Sequence, residues 1–340
     1  MRIVRATASP RIDLLPTDDD LAFARATVSA SRAVSPVTML RRELGGRRTW
    51  LALECLQPVG SFKVRGAIVA LARMKERGVD RVVAVSAGNH GGGVAAAAAE
   101  LAISATIVVP RTAPRKKVDK IRALGGSHVE VIEEGEGYDA AEAFALALAK
   151  ERGLPFVSPY DDVAVVAGNG GSLALEIEEA LGATPSLVLA PFGGGGLATG
   201  LACGFATPRI VWGVQSEASP AFAMSLERGS AVTTLPFVET LADGIEGGIG
   251  ADAFARAAGV CAGVIVVSED AIAEAMRFAY GELGLVVEGS AAVALVPLLP
   301  GFGGLPPEIE RERTIASDGD VVVVLTGRNV DRDRLARLVW

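Results

Sequence analysis

Short apolar runs rich in β-branched residues alternate with longer stretches of Ala and Leu along most of this chain. From about residue 66 onward, several of these runs have the length and composition typical of buried strands. They are residues 82–87, 105–110, 128–133, 187–192, 210–215, 264–268 and 321–326. Residues 138–153, YDAAEAFALALAKERG, are typical of an intervening helix. Strands that are apolar on both faces lie in sheets covered by helices on both sides, so the pattern predicts parallel βαβ winding.

The same pattern divides the chain into two predicted lobes. A chain of 340 residues is longer than the ~250 to 300 residues at which single cores stop growing. Residues 76–155 contain three strand and helix units and end in GLPFVSPYDD, whose Gly, Pro and Asp residues suit a crossover. We therefore expect a small mobile domain at 76–155 and a large cofactor domain formed by 1–75 and 156–340. The predicted fold class is α/β, with two lobes of open, mostly parallel sheets and helices on both faces.

Composition and charge exclude several classes of function. The net charge of −7 and the isoelectric point near 5.1 give no basic surface for nucleic acid or an anionic membrane. The most apolar stretches are interrupted by Glu100 and Glu288, and the first twenty residues lack the apolar run of a signal peptide. The three cysteines are far apart in sequence and have no CxxC spacing, which favours a reducing compartment. We therefore expect a cytoplasmic enzyme that binds a small molecule.

Glycine-rich segments follow three of the predicted strands, at the sheet edge where parallel sheets bind ligands. They are residues 88–93 (GNHGGG), 193–200 (GGGGLATG) and 327–331 (GRNVD). Four glycines before a helix expose backbone N–H groups to a phosphate, although close helix packing or a flexible linker would also use glycine. The segment lacks the Lys and Ser/Thr of a nucleotide loop, and the next strand ends in Gln215 instead of an acidic residue. A single small phosphate is the preferred ligand.

Two further features suit amino-acid chemistry. Ser86, Asn89 and His90 offer donors for a carboxylate or a phenolic oxygen, although His90 could equally pack locally at a helix start. Lys63, in the segment QPVGSFKVRG, is either a solvated surface charge or a nucleophile toward an aldehyde. A Schiff-base lysine, a phosphate loop and a carboxylate loop together describe a pyridoxal 5′-phosphate site that acts on amino acids.

Several motifs resemble, in order and spacing, those of the threonine/serine dehydratases and their serine racemase relatives, in the tryptophan synthase β-like class of pyridoxal phosphate enzymes. The resemblance covers about residues 45–331, and its most specific part is the SFKVRGA element followed by the tetraglycine loop. The matching segments are LECLQPVGSFKVRGA, SAGNHGGGVA, APRKKVDKIRALG, SPYDDVAVVAGNGGSLALEI, GGGGLATGLA, ADGI, EGSAAVAL and LTGRNVD. The resemblance implies a tryptophan synthase β-like fold.

The resemblance also implies roles for individual residues. Lys63 corresponds to the catalytic lysine that holds the cofactor as an imine, with Phe62 and Gly244 on the two faces of the ring. Asn89 would bond the ring hydroxyl, Thr326 would meet the pyridine nitrogen, and Glu288 would lie near that edge. The phosphate donors would be Gly193, Gly194, Gly195, Gly196 and Leu197. The substrate carboxylate would be held by Ser86, Ala87, Gly88, Asn89 and His90.

The implied activity is the elimination of water and ammonia from an L-3-hydroxy amino acid, such as threonine or serine, to give a 2-oxo acid. The alternatives are a β- or γ-replacement enzyme like cysteine or threonine synthase, a racemase, and a silent ligand-binding protein. Racemisation is disfavoured because Ala87 stands where racemases have a serine that moves a proton. The family's divalent-ion site is not expected, since Gln215 and Ala221 occupy its acidic positions. A homodimer is the default assembly.

Departures from the family pattern near the site leave the substrate side chain open. The usual Ala-Gln-Gly after GNH is Gly91, Gly92 and Gly93, and Arg328 stands where glycine is expected. Arg328 either points to solvent or reaches an acidic substrate or the phosphate.

Overall fold

The computed structural model describes residues 1–299, 301–302, 304–312 and 319–339. The strands are β1 (Arg2–Arg5), β2 (Met39–Leu44), β3 (Arg47–Ala52), β4 (Arg81–Val85), β5 (Ser104–Val109), β6 (Val129–Glu133), β7 (Leu187–Pro191), β8 (Val211–Ser216), β9 (Gly263–Val267) and β10 (Val321–Val324). The helices are α1 (Asp18–Ala30), α2 (Lys63–Glu76), α3 (Asn89–Leu101), α4 (Arg115–Gly125), α5 (Tyr138–Arg152), α6 (Val163–Val166), α7 (Ser172–Leu181), α8 (Gly196–Gly204), α9 (Ala221–Arg228), α10 (Ala251–Val260), α11 (Glu269–Gly281), α12 (Gly289–Ala292), α13 (Pro307–Glu312) and α14 (Arg332–Val339).

The predicted strands and the predicted helix are confirmed, as β4 to β10 and as α5. The pattern missed β1 and the β2–β3 hairpin, whose exposed arginines hide the apolar alternation. A two-residue turn, Gly45–Gly46, joins β2 to β3, and both glycines have the positive φ that such turns require. This Gly-Gly pair is the sequence signal that could have predicted the hairpin.

The strands form two sheets. The larger has the order β1-β9-β8-β7-β10-β3-β2, and its edge strands β1 and β2 are antiparallel to their neighbours. The five strands between them are parallel, as are the three strands of the smaller sheet, β4-β5-β6. Two mostly parallel sheets agree with the predicted winding.

Helices cover both faces of the large sheet. Along β10, Val321 and Val323 point into one apolar cluster, whereas Val322 and Val324 point into another. The small sheet is likewise packed on both sides, and the cluster on one of its faces includes residues of α1 and α2. Residues before position 76 thus share a core with the small sheet, and the division into 1–75 with 156–340 and 76–155 stays a prediction. Within the described residues, no helix is both long enough and apolar enough to cross a membrane.

Candidate active site

The segment that contains Lys63 is fastened to the carboxyl end of β10. The Phe62 N–H donates to the carbonyl oxygen of Thr326 at 3.0 Å, and Ser61 forms an antiparallel bridge with Gly327. Lys63 then begins α2. Because β10 is one of the five parallel strands, this attachment puts the lysine at the sheet edge where α/β proteins bind ligands.

The amine of Lys63 lies in a partly enclosed, mostly apolar environment. Its Nζ donates to the carbonyl oxygen of Pro159 at 3.0 Å and lies 5.3 Å from the centre of the Phe62 ring. Burial lowers the pKa of this amine to about 8, from a usual value of 10.5. Near pH 7, the uncharged fraction of the Lys63 amine is therefore larger than that of an exposed lysine. A nucleophilic amine must be uncharged.

The tetraglycine loop connects β7 to α8 and is covered by two other segments. Gly195 has φ of +84°, a conformation that favours glycine. A Cβ on Gly194 would lie 2.6 Å from Cγ of Tyr160, and one on Gly193 would lie 3.0 Å from Cα of Ile245. The first N–H groups of α8 have no partner within the helix and are directed toward the loop. Since Pro159 and Tyr160 are consecutive, one segment contacts both the Lys63 amine and the predicted phosphate loop.

The predicted carboxylate loop lies between β4 and α3. Ser86 Oγ accepts a hydrogen bond from the Gly88 N–H at 2.9 Å, and Ala87 packs against the core of the small sheet. A Cβ on Gly93 would lie 3.0 Å from the backbone of Lys63, and one on Gly91 would lie 2.1 Å from the carbonyl oxygen of Ser86. Gly91 and Gly93 thus allow α3 to approach its neighbours closely, so packing explains both glycines without any reference to the substrate.

His90 is buried and its ring is already engaged. Its Nε2 lies 3.0 Å from the carbonyl oxygen of Val157. Burial, with a smaller contribution from the charge of Lys63, lowers the pKa of His90 to about 3. The imidazole is therefore neutral at ordinary pH, and a substrate would meet this residue through its backbone.

Glu288 is the centre of a buried polar network. Its Oε1 accepts from Asn89 Nδ2 at 2.7 Å, and its Oε2 accepts from the Asn329 N–H at 2.9 Å. Asn329 Nδ2 in turn donates to Asn89 Oδ1 at 2.6 Å. Burial, helped by the charge of Asp243, raises the pKa of Glu288 to about 7. The structure therefore brings predicted residues Asn89 and Glu288 together and adds Asn329, which the sequence did not single out.

The titration of Glu288 leads to a prediction for the cofactor-free protein. Between pH 4.5 and about 7 the folded protein holds a proton that the unfolded chain releases, so stability falls as pH rises through this window. Deprotonation of Glu288 should lower the free energy of unfolding by up to about 3 kcal/mol across this window. The Glu288→Gln variant should lack this decline when the free energy of unfolding by denaturant is measured at pH 5 and at pH 8. Glu282→Gln, at an exposed position, is the control, and a decline in Glu288→Gln equal to that of the wild type would contradict the prediction.

Of the remaining predicted positions, Thr326 and Gly244 lie next to this network, whereas Leu197 lies in the apolar core. Thr326 is buried directly after β10, and a Cβ on the next residue, Gly327, would lie 2.5 Å from Oε1 of Glu288. Gly244 is exposed, and its N–H donates to Ser290 Oγ at 2.7 Å. Leu197 is buried in the core of the large sheet. Arg328 is exposed, and its backbone N–H donates to the carbonyl oxygen of Gly60. Its exposure agrees with the alternative in which the side chain points to solvent.

Gln215 stands at the position matched to the family's divalent-ion site, and its side-chain amide already makes two hydrogen bonds. Gln215 is buried, donates to the carbonyl oxygen of Phe192 at 3.1 Å, and accepts from the Ala223 N–H at 3.1 Å. The described part of the chain contains no group of three or more His, Cys, Asp or Glu side chains able to bind a metal ion. That the protein lacks this ion site remains a prediction.

Comparisons with known proteins identify the class. Residues 30–327 match the family of pyridoxal-phosphate dependent enzymes, and the chain belongs to that family. It is 39% identical over 291 residues to a biosynthetic L-threonine dehydratase of Burkholderia multivorans, covering 84% of this chain and 55% of that one. An L-threonine ammonia-lyase of Thermotoga maritima is 37% identical over 302 residues, covering 87% of this chain and 71% of that one. The chain thus spans about half the length of the Burkholderia relative.

Solved structures agree with this assignment. The processed form of threonine deaminase isoform 2 from Solanum lycopersicum superposes with a TM-score of 0.80 at 29% identity, covering 99% of this chain and 91% of that one. Maize serine racemase superposes with a TM-score of 0.83 at 27% identity, covering 95% and 96%. The predicted family, fold class and cofactor are thereby confirmed.

The candidate site fits pyridoxal phosphate. The cofactor needs an amine that is readily deprotonated, and burial supplies one in Lys63. It needs donors for a dianionic phosphate, and the glycine loop at the start of α8 has backbone N–H groups that no Cβ obstructs. The residues that would hold the cofactor remain those predicted from the sequence.

Proposed function

We propose that this protein is a lyase that eliminates water and ammonia from an L-3-hydroxy amino acid such as threonine or serine. The observation that supports it most strongly is the enclosed Lys63 amine, which shares the Pro159–Tyr160 segment with the glycine loop. Relatives named threonine dehydratase or threonine ammonia-lyase point to the same substrate class. The overall reaction converts the hydroxy amino acid into a 2-oxo acid and ammonium, because the water lost from Cβ is regained when the enamine product hydrolyses.

Each predicted residue has a task in this reaction. Pyridoxal phosphate, when bound, withdraws electrons from Cα of the attached amino acid. Lys63 would hold the cofactor and, once free, would remove the proton from Cα. The N–H groups of Gly193 to Gly196 and Leu197 would bind the phosphate, and Asn89 would bond the ring hydroxyl. Thr326 would meet the pyridine nitrogen near Glu288. A neutral hydroxyl there cannot stabilise a protonated ring as a carboxylate would.

The remaining residues hold and orient the substrate. Phe62 and Gly244 would flank the ring, and residues 86–90 would bind the substrate carboxylate through their donors. Ala87 has no side chain able to give a proton to the opposite face of Cα, which supports elimination over racemisation.

The protein, supplied with its cofactor, should release 2-oxo acid and ammonia in equal amounts from a panel of L-3-hydroxy amino acids without an added nucleophile. Both products are measured on the same samples. Product formation only after addition of a thiol or another nucleophile would instead indicate a replacement enzyme. Cofactor binding without any product would indicate a silent binding protein.

We also infer a cytoplasmic homodimer. Cys55, Cys203 and Cys261 are all free thiols, which suits a reducing compartment. Closed two-fold dimers are the commonest symmetric assemblies, which supports the dimer only as a default.

A further inference from the structure

Two lysines of α4 reach from the layer that covers the small sheet to the loops around Glu288. Val118 and Ile121 anchor α4 in the apolar cluster of the small sheet. Lys120 Nζ donates to Asn329 Oδ1 at 2.6 Å and to the carbonyl oxygen of Val59 at 2.8 Å. One turn earlier, Lys117 Nζ lies 3.8 Å from a carboxylate oxygen of Asp243. Val59 lies shortly before Lys63, and Asn329 follows β10. Lys120 therefore connects α4 to the chain on both sides of the site.

The contact with Lys120 acts together with the acceptor oxygens of Val59 and Glu288 to determine which way two side-chain amides point. An amide has an acceptor oxygen at one end and a donor nitrogen at the other, and an ammonium group can only donate. Because Asn329 directs its oxygen at Lys120, its Nδ2 donates to the carbonyl oxygen of Val59 at 3.2 Å and to Asn89 Oδ1 at 2.6 Å. Asn89 then has its own Nδ2 free to donate to Glu288 at 2.7 Å.

We infer that Lys120 is a positioning residue for the cofactor site. Its ammonium group fixes the orientation of Asn329 and, through it, the orientation of Asn89, and it ties α4 to the segment that precedes Lys63. The inference rests on the proposed contact between Asn89 and the cofactor. A lysine at a solvent-facing position usually contributes little, but this one has two acceptors within 2.8 Å, and one of them belongs to the buried network.

The test compares variants by their affinity for the cofactor, measured by titrating pyridoxal phosphate into cofactor-free protein and following its visible absorbance. Lys120→Met should raise Kd about fivefold to tenfold, the effect of losing a charged hydrogen bond to Asn329. Lys120→Arg, which keeps charge and donors, should stay close to the wild type. The matched control is Lys116→Met, which removes the same charge from an exposed position of α4 and should change Kd by less than about twofold.

A second comparison separates positioning from a general effect on folding. Asn329→Ala removes the amide through which Lys120 acts but leaves its contact with the carbonyl oxygen of Val59, so Lys120→Met should cost less affinity in that background than in the wild type. Independent, multiplying losses in the double variant would overturn the inference, and so would equal losses in Lys120→Met and Lys116→Met. If Lys120→Met does not fold, Lys120→Gln takes its place in both comparisons. A wild-type protein that binds no pyridoxal phosphate would contradict the proposed function itself, whereas normal binding and turnover in Lys120→Met would overturn this inference alone.

Discussion

Replacing Lys63 with alanine is expected to lower turnover at least about 10³-fold and to abolish the visible absorbance band of the cofactor-loaded protein. The loss is large because, in the proposed function, one amine both holds the cofactor and moves the Cα proton. This amine donates to the carbonyl oxygen of Pro159 at 3.0 Å, next to the glycine loop. Turnover is measured as 2-oxo acid release, and the band is recorded near ~410 nm, where an imine of pyridoxal phosphate absorbs.

Lys75→Ala is the control for this substitution. Lys75 lies on the same helix, is exposed, and donates to the carbonyl oxygen of Leu101 at 2.6 Å. This variant should keep both the band and the turnover. A Lys63→Ala protein that retained the band, or that turned over within tenfold of the wild type, would show that another group holds the cofactor.

Replacing Arg65 with methionine is expected to destabilise the protein by about 3 to 5 kcal/mol. The guanidinium group is fully buried and makes two hydrogen bonds to each of two carboxylates, those of Glu54 and Glu176, at 2.8 to 2.9 Å. Removing it leaves the buried carboxylate of Glu54 without a compensating charge. Because Arg65 lies two residues after Lys63, the same change should loosen the start of α2 and weaken cofactor binding.

Unfolding by denaturant, monitored on the full chain, measures this effect. Adding Glu54→Met and Glu176→Met to Arg65→Met should restore much of the lost stability, since a buried ion cluster replaced by apolar groups of similar volume is often neutral. A loss below about 1 kcal/mol in the single variant would mean that the buried ion pairs contribute little.

Much of the fold could be predicted because most strands are buried on both faces. Runs such as 321–326 are continuously apolar, and their bounds agree closely with β10. The edge strands could not be found in this way, because β2 is exposed on both faces at Arg41 and Arg42, whose side chains point to opposite sides. Single-sequence patterns also gave no sign that α1 and α2 share the core of the small sheet, since such packing depends on contacts distant in sequence.

The sequence pointed to separate candidate site residues but not to the contacts between them. Lys63 and the glycine loop are recognisable from local chemistry, whereas the Pro159–Tyr160 segment that links them is visible only in the fold. The change to Gly91 looked like a clue to the substrate, but it permits close backbone approach, whereas the change to Gly92 has no such structural explanation. The asparagine of GRNVD was the available signal for Asn329, and nothing local indicated its bonds to Asn89 and Lys120.

The most direct measurement is the reduction of the cofactor-loaded protein with borohydride, followed by mass mapping of its peptides. Reduction turns an imine between a lysine and pyridoxal phosphate into a stable bond, so the modified residue can be read from the peptide masses. The modification is expected on Lys63 alone, within the segment SFKVRG. A modification on Lys117 or Lys120, or none on any lysine, would contradict the account.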